Sequence, residues 1–259
     1  MPSPHEKNDN QNVWFGISMF LMGIIAGAVL TVASGTTSFQ LGKKNVPKLT
    51  APTPTAQNPV QPSSQASVQD RMLAIARDIG LPEDQFNDCV GSDKYKQKVA
   101  DEMSGGGKAG INGTPGNIIY DLKTKNGVLV SGARPIGSFQ KYIDAMLANP
   151  NYVSKDKDVT NAKNVVPVDV AAEHIRGNKD ARLAIIEYSD FQCPFCRNVH
   201  PTYQQLIALY GDKIMWVYRH FPLGFHPDAE PFAIGSECAA ELGGSDAFWS
   251  FADKVMQGA

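Results

Sequence analysis

The stretch from Glu187 to Cys196 constrains this chain more than any other. It reads E-Y-S-D-F-Q-C-P-F-C, so an apolar strand pattern runs into two closely spaced cysteines, Cys193 and Cys196. Apolar residues recur at helical spacing after the pair, which predicts a strand-to-helix junction at Cys193. Unpaired N–H groups and the helix dipole at such an N-terminus favour the thiolate form of a cysteine. The pattern therefore indicates thiol–disulfide chemistry.

A Cys-x-x-C pair has two other common uses, as a structural disulfide and as half of a zinc site. A zinc site requires two further ligands, and the chain has no second Cys-x-x-C. Attachment of c-type haem is excluded because Arg197, and not histidine, follows Cys196. We therefore predict redox use of the pair, with no metal and no cofactor. The remaining candidates for zinc ligands are Cys89, Cys238 and His200.

Length and charge limit the other functions. The chain has 259 residues and a formal charge of −2, which gives no electrostatic reason to expect a nucleic-acid partner. The length allows a membrane anchor and one or two modest domains. The four cysteines fit a redox or disulfide protein but do not identify a compartment.

The N-terminal region contains an uncharged apolar run. Residues 13–33 form a run of 21 residues, which is long enough to cross a hydrocarbon core that needs about 20. A cleaved signal peptide is the alternative, because Val32-Ala33-Ser34 resembles a small-residue cleavage site. The run exceeds the usual apolar core of a signal peptide, about 7 to 15 residues, so we predict an uncleaved transmembrane anchor.

The charges beside this anchor conflict with the chemistry. Lys7 precedes it, whereas Lys43, Lys44 and Lys48 follow it, so the positive-inside rule alone places the C-terminal side in the cytoplasm. An oxidising dithiol enzyme works where disulfides persist, which is outside the cytoplasm. We follow the chemistry and expect an extracytoplasmic catalytic domain on a single-pass anchor in the cell membrane.

A tail over residues 1–12 precedes the anchor, and a linker over residues 34–67 is predicted to follow it. From Lys43 to Ser67 the sequence repeats Pro, Thr, Gln and Ser and contains no aromatic residue, so it cannot form a core. A short Pro-rich binding motif is the alternative to a spacer.

The rest of the chain divides into two complementary segments. Residues 68–150 show three helical patterns, then Thr114-Pro115, a two-stranded hairpin and a last helix. Residues 151–180 form a joining segment. Residues 181–259 show a strand, the Cys-x-x-C helix, another strand and two further helices.

With these elements, the chain resembles the DsbA-like thiol–disulfide oxidoreductases, which are thioredoxin-superfamily proteins with a helical insertion. The resemblance covers nearly all of residues 68–256. It is carried by E-Y-S-D-F-Q-C-P-F-C, W-V-Y-R-H-F-P-L, S-E-C-A-A-E-L, A-F-W-S-F and G-I-N-G-T-P. It implies an α/β, thioredoxin-like fold with a helical insertion, preceded here by one transmembrane helix.

The order of the two segments departs from that family, in which the Cys-x-x-C half comes first. Here Thr114-Pro115 lies upstream of Cys193. Because the segments are complementary and duplicate nothing, we predict one circularly permuted domain, with residues 68–150 as its C-terminal half and residues 181–259 as its N-terminal half. Such a join is physically easy, since domain termini are often close together. A reciprocally swapped dimer and a rearranged gene product that folds poorly are the alternatives.

The resemblance also implies roles for individual residues. Cys193 attacks, and Cys196 resolves the mixed disulfide. Glu187 matches the acidic residue beneath the pair, where we expect it to exchange a proton with Cys196. A carboxylate in an apolar strand is costly without such a task, and a surface position at the strand end is the alternative. Pro115 is expected to be a cis-proline that faces the pair. The predicted substrate-binding residues are Thr114, Pro115, Pro194 and Phe195.

The other two cysteines lie on predicted helices, one in each segment. In an oxidising compartment we expect a disulfide between Cys89 and Cys238, and two buried free thiols are the alternative. His220 and His226 are predicted to be surface or capping residues.

Together these features predict a membrane-anchored thiol–disulfide oxidoreductase that forms or exchanges disulfides in exported proteins that contain cysteine. The resemblance implies that a quinone-linked thiol oxidase of the membrane reoxidises its Cys193–Cys196 pair. A disulfide reductase or isomerase is the first alternative. A non-catalytic thioredoxin-like module that binds peptides is the second.

Overall fold

The structure is a computed structural model, and it describes residues 66–258. The predicted tail, the anchor over residues 13–33 and nearly all of the predicted linker lie outside the described residues. Within residues 66–258, no helix combines the length and the apolar character needed to cross a membrane.

Six α-helices lie in the described part of the chain. The first begins at a reciprocal cap, in which Ser67 Oγ accepts the N–H of Asp70 and the Asp70 carboxylate accepts the N–H of Ser67, each at 3.1 Å. It ends before Gly80, whose φ of 78° turns the chain out of the helix. The helices are α1 (Val68–Asp78), α2 (Glu83–Gly91), α3 (Lys96–Lys108), α4 (Ile136–Ala148), α5 (Pro194–Tyr210) and α6 (Ala229–Gln257).

Six strands form one mixed sheet in the order β3-β2-β1-β5-β6-β4. β1 lies antiparallel between β2 and β5, and β5 runs parallel to β6. The mixed α/β architecture predicted from the sequence is therefore confirmed. The strands are β1 (Gly116–Asp121), β2 (Gly127–Ser131), β3 (Thr160–Asn161), β4 (His174–Gly177), β5 (Leu183–Ser189) and β6 (Ile214–His220).

The pairing of β1 with β5 joins the two sequence segments inside one sheet. Gly116 lies opposite Tyr188 at one end of this pairing, and Asp121 lies opposite Leu183 at the other. All residues of both strands are buried. The strand that follows Thr114-Pro115 therefore lies directly beside the strand that leads into Cys-x-x-C.

Apolar side chains cover both faces of the sheet, as expected for strands with helices or chain packed on each side. On one face Ile185 and Trp216 pack with residues of α1, α4, α5 and α6. On the other, Ile186 and Val217 pack with apolar residues after α3 and with the joining segment. Because side chains alternate along a strand, Glu187 points to the same face as Ile185, which is the face that carries α5.

The two last helices predicted from the sequence, residues 229–242 and 247–256, are present in the structure as the two parts of α6. The chain leaves helical geometry inside α6 at Gly244, with φ 72° and ψ −165°, so the two predicted helices meet at a kink. The edge strand β3 was not predicted, because two residues are too short to show a period.

Candidate active site

Cys193 and Cys196 begin the helix α5. Cys193 is the N-cap residue, and Pro194 takes the first helical position, where a missing N–H costs nothing. Both cysteines are free thiols in this structure, and both are buried. Phe195, between them, is 60% exposed and so presents an apolar ring to solvent beside the sulfur atoms.

The two thiols are chemically unequal. A hydrogen bond from the Cys196 thiol lowers the pKa of Cys193 to about 5, with further help from Thr114 and from the backbone N–H groups of Cys196 and Phe195, against the opposing effect of burial. Burial raises the pKa of Cys196 above its ordinary value. Its hydrogen bond to Cys193 and the nearby charge of Glu187 raise it further. Cys193 is thus a thiolate near neutral pH, and Cys196 keeps its proton.

Thr114 and Pro115 form the wall opposite Cys193. The peptide bond between them is cis, and Cys193 Sγ lies 3.5 Å from the carbonyl oxygen of Thr114. The pairing of β1 with β5 brings this loop to the thiol, since Gly116 at the start of β1 faces Tyr188 near the end of β5. Two segments far apart in the sequence therefore build one site.

Glu187 lies beneath the pair and is fully buried. Its Oε2 accepts a hydrogen bond of 2.9 Å from the indole N–H of Trp216, while Oε1 has no hydrogen-bond partner within residues 66–258. Burial raises the pKa of Glu187 to about 7, against the charge of His200 and hydrogen bonds that lower it. The alternative of a surface position at the strand end does not hold. A carboxyl group with this pKa can both donate and accept a proton near neutral pH.

The family described as Thioredoxin matches residues 169–258, which hold β4, β5, the Cys-x-x-C helix, β6 and α6. The match covers residues 169–258, which is less than half of the chain. Together with the thiol pair, the facing cis-proline and the added helices already described, it supports a DsbA-like domain of the thioredoxin superfamily.

Known proteins also resemble part of the chain. A protein named Na(+)/H(+) antiporter NhaA 1 from Mycolicibacterium gilvum is 41% identical over 91 residues, and one named Na(+)/H(+) antiporter NhaA from Herminiimonas arsenicoxydans is 40% identical over 90. Each alignment covers 35% of this chain and 14% of the relative, so the chain spans a small part of those proteins. A crystal structure of Pseudomonas aeruginosa DsbA2 is 38% identical, covers 33% of this chain and 48% of its own, and has a TM-score of 0.32.

The loop of the DsbA-like domain between β5 and α5 is held by Asp190, which the sequence reasoning missed. Its Oδ1 accepts the N–H groups of Gln192 at 2.7 Å and Cys193 at 3.1 Å. Its Oδ2 lies 2.8 Å from the N–H of Leu223 and 2.8 Å from His226 Nδ1. An aspartate placed three residues before a helix N-cap was the available signal, because aspartate often accepts N–H groups two or three residues ahead.

A second buried carboxylate, Glu237 on α6, corrects the prediction for His220. His220 is not a surface residue: it is 1% exposed, and its Nε2 lies 2.9 Å from Glu237 Oε1. The same oxygen lies 2.8 Å from His174 Nε2 and 2.5 Å from Lys98 Nζ. Against the effect of burial, hydrogen bonds from the two histidines hold the pKa of Glu237 well below its usual range. We call Lys98, His174, His220 and Glu237 the clamp.

The remaining cysteines lie beside this clamp. Cys89 on α2 and Cys238 on α6 form a disulfide with an S–S distance of 2.07 Å. Neither sulfur is therefore a zinc ligand for Cys193 and Cys196. In the part of the chain that the structure describes, no group of three or more His, Cys, Asp or Glu side chains is arranged to hold a metal ion.

Proposed function

We propose that this DsbA-like domain is a thiol–disulfide oxidoreductase that forms or exchanges disulfides through Cys193 and Cys196. The observation that carries the proposal is the inequality of the two thiols. Cys193 has its pKa lowered to about 5 and faces the cis-proline loop, while the buried Cys196 keeps its proton. Stabilising the Cys193 thiolate stabilises the reduced pair, so its disulfide is a stronger oxidant.

In the oxidising direction, a substrate thiolate attacks Cys193 Sγ of the Cys193–Cys196 disulfide. The bond to Cys196 breaks, and the Cys196 sulfur leaves with the electron pair and takes a proton from Glu187. A second substrate thiolate attacks the substrate sulfur of the mixed disulfide, and Cys193 leaves as a thiolate. The substrate loses two electrons and the pair gains two. Glu187 regains its proton from solvent.

Four residues are proposed to bind the substrate. An extended peptide adds a short strand along the backbone of Thr114, next to Pro115, with its cysteine over Cys193. The exposed side chains of Pro194 and Phe195 form the apolar surface beside that cysteine. These contacts involve the peptide backbone and apolar surface, which suits substrates of varied sequence.

Location and partners belong to the same proposal. The domain would lie outside the cytoplasm on the anchor of residues 13–33, which is long enough to span a membrane. The Cys89–Cys238 disulfide supports an oxidising compartment. Exported proteins with cysteines would be its substrates, and a membrane quinone-linked thiol oxidase would accept two electrons from the reduced pair.

We also propose that the domain is circularly permuted, with residues 151–180 joining its old ends. The β1–β5 pairing within one chain supports this order. Gel filtration of the detergent-solubilised chain with light scattering tests it. A monomer supports the permutation, and an obligate dimer indicates swapped halves.

The function is tested by exchange with a model disulfide. The purified chain is expected to catalyse oxidation of a dithiol peptide by oxidised glutathione, and Cys193→Ser is expected to lose this activity by at least about 10³-fold. Equal activity of wild type and Cys193→Ser would contradict the assigned role. The reduction potential of the pair then decides between oxidase and reductase or isomerase.

A further inference from the structure

The buried acid beneath the thiols needs a way to exchange protons with solvent. Glu187 is fully buried and Cys196 is 0% exposed, yet each half-cycle of the proposed reaction moves one proton to or from Cys196. A buried carboxyl group that serves more than one turnover must therefore be connected to solvent through another group.

His200 is the titratable side chain placed for that task. It lies four residues after Cys196 on α5, so both side chains share the inner face of the helix. Its ring is 4% exposed and packs edge-on against Trp216 at 5.0 Å, and the indole of Trp216 hydrogen-bonds Glu187. Its Nδ1 is buried and has no hydrogen-bond partner within residues 66–258.

The other ring nitrogen of His200 leads outward. His200 Nε2 lies 2.7 Å from Oδ1 of Asp253 on α6, whose side chain is 26% exposed. Arg176 binds both oxygens of Asp253, at 3.1 and 2.8 Å. Although burial opposes it, hydrogen bonds from His200 and Arg176 lower the pKa of Asp253 to about 2. Asp253 is therefore a carboxylate, which only accepts hydrogen bonds, so the proton between the two groups lies on His200 Nε2.

Nδ1 is the ring nitrogen without a hydrogen-bond partner within residues 66–258. The charged and titratable groups near the ring are Asp253 on α6, which contacts it, Arg176 on β4, which binds Asp253, and Glu187 on β5. Cys196 lies four residues before the ring on α5. Glu187 and Asp253 are the acids among them, one buried and one at the surface. The imidazole therefore separates an internal proton donor from a solvent-exposed acceptor.

We propose that His200 and Asp253 relay protons between Glu187 and solvent; this deepens the proposed function and rests on it. In the outward direction, Glu187 gives a proton to Nδ1 through a bridging water molecule, since Glu187 Oε1 and His200 Nδ1 do not hydrogen-bond each other, while the proton on Nε2 passes to Asp253 and then to water. In the inward direction each transfer is reversed. Oxidation of a substrate uses the inward direction and reoxidation of the pair the outward one, so the ring returns to its starting tautomer without rotating.

The test separates two steps of one reaction. The reduced full-length chain in detergent is mixed with oxidised glutathione in a stopped-flow instrument. Attack by Cys193 is second order and moves no proton to Glu187, whereas resolution by Cys196 is first order and requires the Cys196 thiol to give its proton to Glu187. We expect His200→Gln to slow resolution about tenfold, with a larger solvent deuterium isotope effect, and to leave the attack rate unchanged.

Asp253→Asn is the second variant, because a change at the partly exposed Asp253 keeps the buried ring in place. It is expected to slow resolution, and Asp253→Glu is expected to restore it. Gln204→Ala is the matched control, since Gln204 donates to the same Asp253 oxygen at 3.3 Å but relays no proton. Combining His200→Gln with Glu187→Gln is expected to add no further slowing, because both changes block one path.

Three results would overturn the relay. They are unchanged resolution in both His200→Gln and Asp253→Asn, equal slowing of attack and resolution, and additive slowing in the double variant. In each case wild-type exchange would leave the proposed function standing. A wild-type chain that exchanges nothing with glutathione would overturn that function and the relay together.

Discussion

Two regions of this domain each contain a cysteine pair and a buried glutamate, and they use them in opposite ways. At the redox end, Cys193 and Cys196 are free, and Glu187 receives one short hydrogen bond, from Trp216. At the other, Cys238 is bonded to Cys89 and the neighbouring Glu237 contacts Lys98, His174 and His220.

The difference in partners sets the charge of each acid. The pKa of Glu187 is raised by burial to about 7, whereas that of Glu237 is held well below its usual range by its histidine partners despite burial. A buried acid with few hydrogen-bond donors is left able to exchange protons, and one that accepts from a lysine and two histidines becomes a fixed ion. Both regions join the two sequence segments, so we infer that one was shaped by reactivity and the other by stability.

The largest expected effect concerns the disulfide beside the clamp. Replacing both Cys89 and Cys238 with serine removes a cross-link that closes a loop with a sequence separation of 149 residues. The chain-entropy account gives a loss of about 4 to 5 kcal/mol in the free energy of unfolding. Urea unfolding at pH 7 measures it. The exchange activity of the molecules that remain folded should match wild type, and a fall in that activity would show that the two regions are not separate.

The clamp carboxylate gives the next largest effect. Glu237→Gln removes the charge that Lys98, His174 and His220 share, and is expected to destabilise the fold by about 3 to 4 kcal/mol. Thermal and urea unfolding measure this loss. Glu241→Gln is a suitable control, because Glu241 lies on the same helix as Glu237 and pairs with Lys94 at the surface. A surface ion pair contributes less than about 1 kcal/mol. Equal losses in the two variants would contradict the clamp.

The two glutamates are also expected to give opposite dependences on pH. Because the folded-state pKa of Glu187 is raised from 4.5 to about 7, the folded protein binds more protons in that range, and Glu187 destabilises it as the pH rises. Glu187→Gln in the reduced protein should then be more stable than wild type by up to about 3 kcal/mol at pH 8, and no more stable at pH 4.

For Glu237 the sign is reversed. Its pKa is lowered, so its stabilisation is present above its ordinary value of 4.5 and is lost as the pH falls through the folded value. Burial lowers the pKa of His174, which also removes stability as the pH falls below the ordinary 6.5. The deficit of Glu237→Gln should therefore shrink in acid. The contrast would be refuted if the free energy of unfolding of both variants, measured from about pH 2 to pH 8, ran parallel to that of wild type.

The smallest effect is on the rate at the redox end. Glu187→Gln keeps the hydrogen bond to Trp216 possible but carries no exchangeable acid, so resolution of the mixed disulfide should slow about 100-fold near pH 7. A stopped-flow pH–rate profile should lose the ionisation near pH 7. Alkylation of Cys193 by iodoacetamide should stay as fast as in wild type, since that thiolate owes its low pKa chiefly to Cys196.

The sequence predicted the redox end better than the clamp, for a physical reason. Cys193, Pro194 and the strand before them form a local pattern, so the helix N-terminus could be derived from nearby residues. Placing Thr114 opposite Cys193 needed the resemblance, because the β1–β5 pairing joins residues far apart. The charged contacts of Glu237 join it to Lys98 across 139 residues and to His174 across 63. No sequence period reports such contacts, which is why His220 was wrongly placed at the surface.

Asp190 was missed, and His200 was named only as a possible zinc ligand, for a different reason. Aspartate and histidine are both common in loops and helices. What sets these two residues apart is whether their side-chain atoms have hydrogen-bond partners, which the structure shows and the sequence does not. Asp190 could have been found from its position before the N-cap, whereas His200 needed the packing of α5 on the sheet. Hydrogen bonds to nearby backbone N–H groups can thus be predicted from the sequence, whereas the residues that pack around a buried ring cannot.

The pairing of β1 with β5 also sets the order of events during synthesis. A ribosome makes Thr114, Pro115 and β1 well before it makes β5, so one edge of β1 has no strand to pair with until the later segment emerges. Such an open edge is a place where nascent chains associate wrongly. The same order means that Cys193 is synthesised only after Thr114 and Pro115, so a nascent chain that has not reached residue 193 carries no redox-active thiol pair.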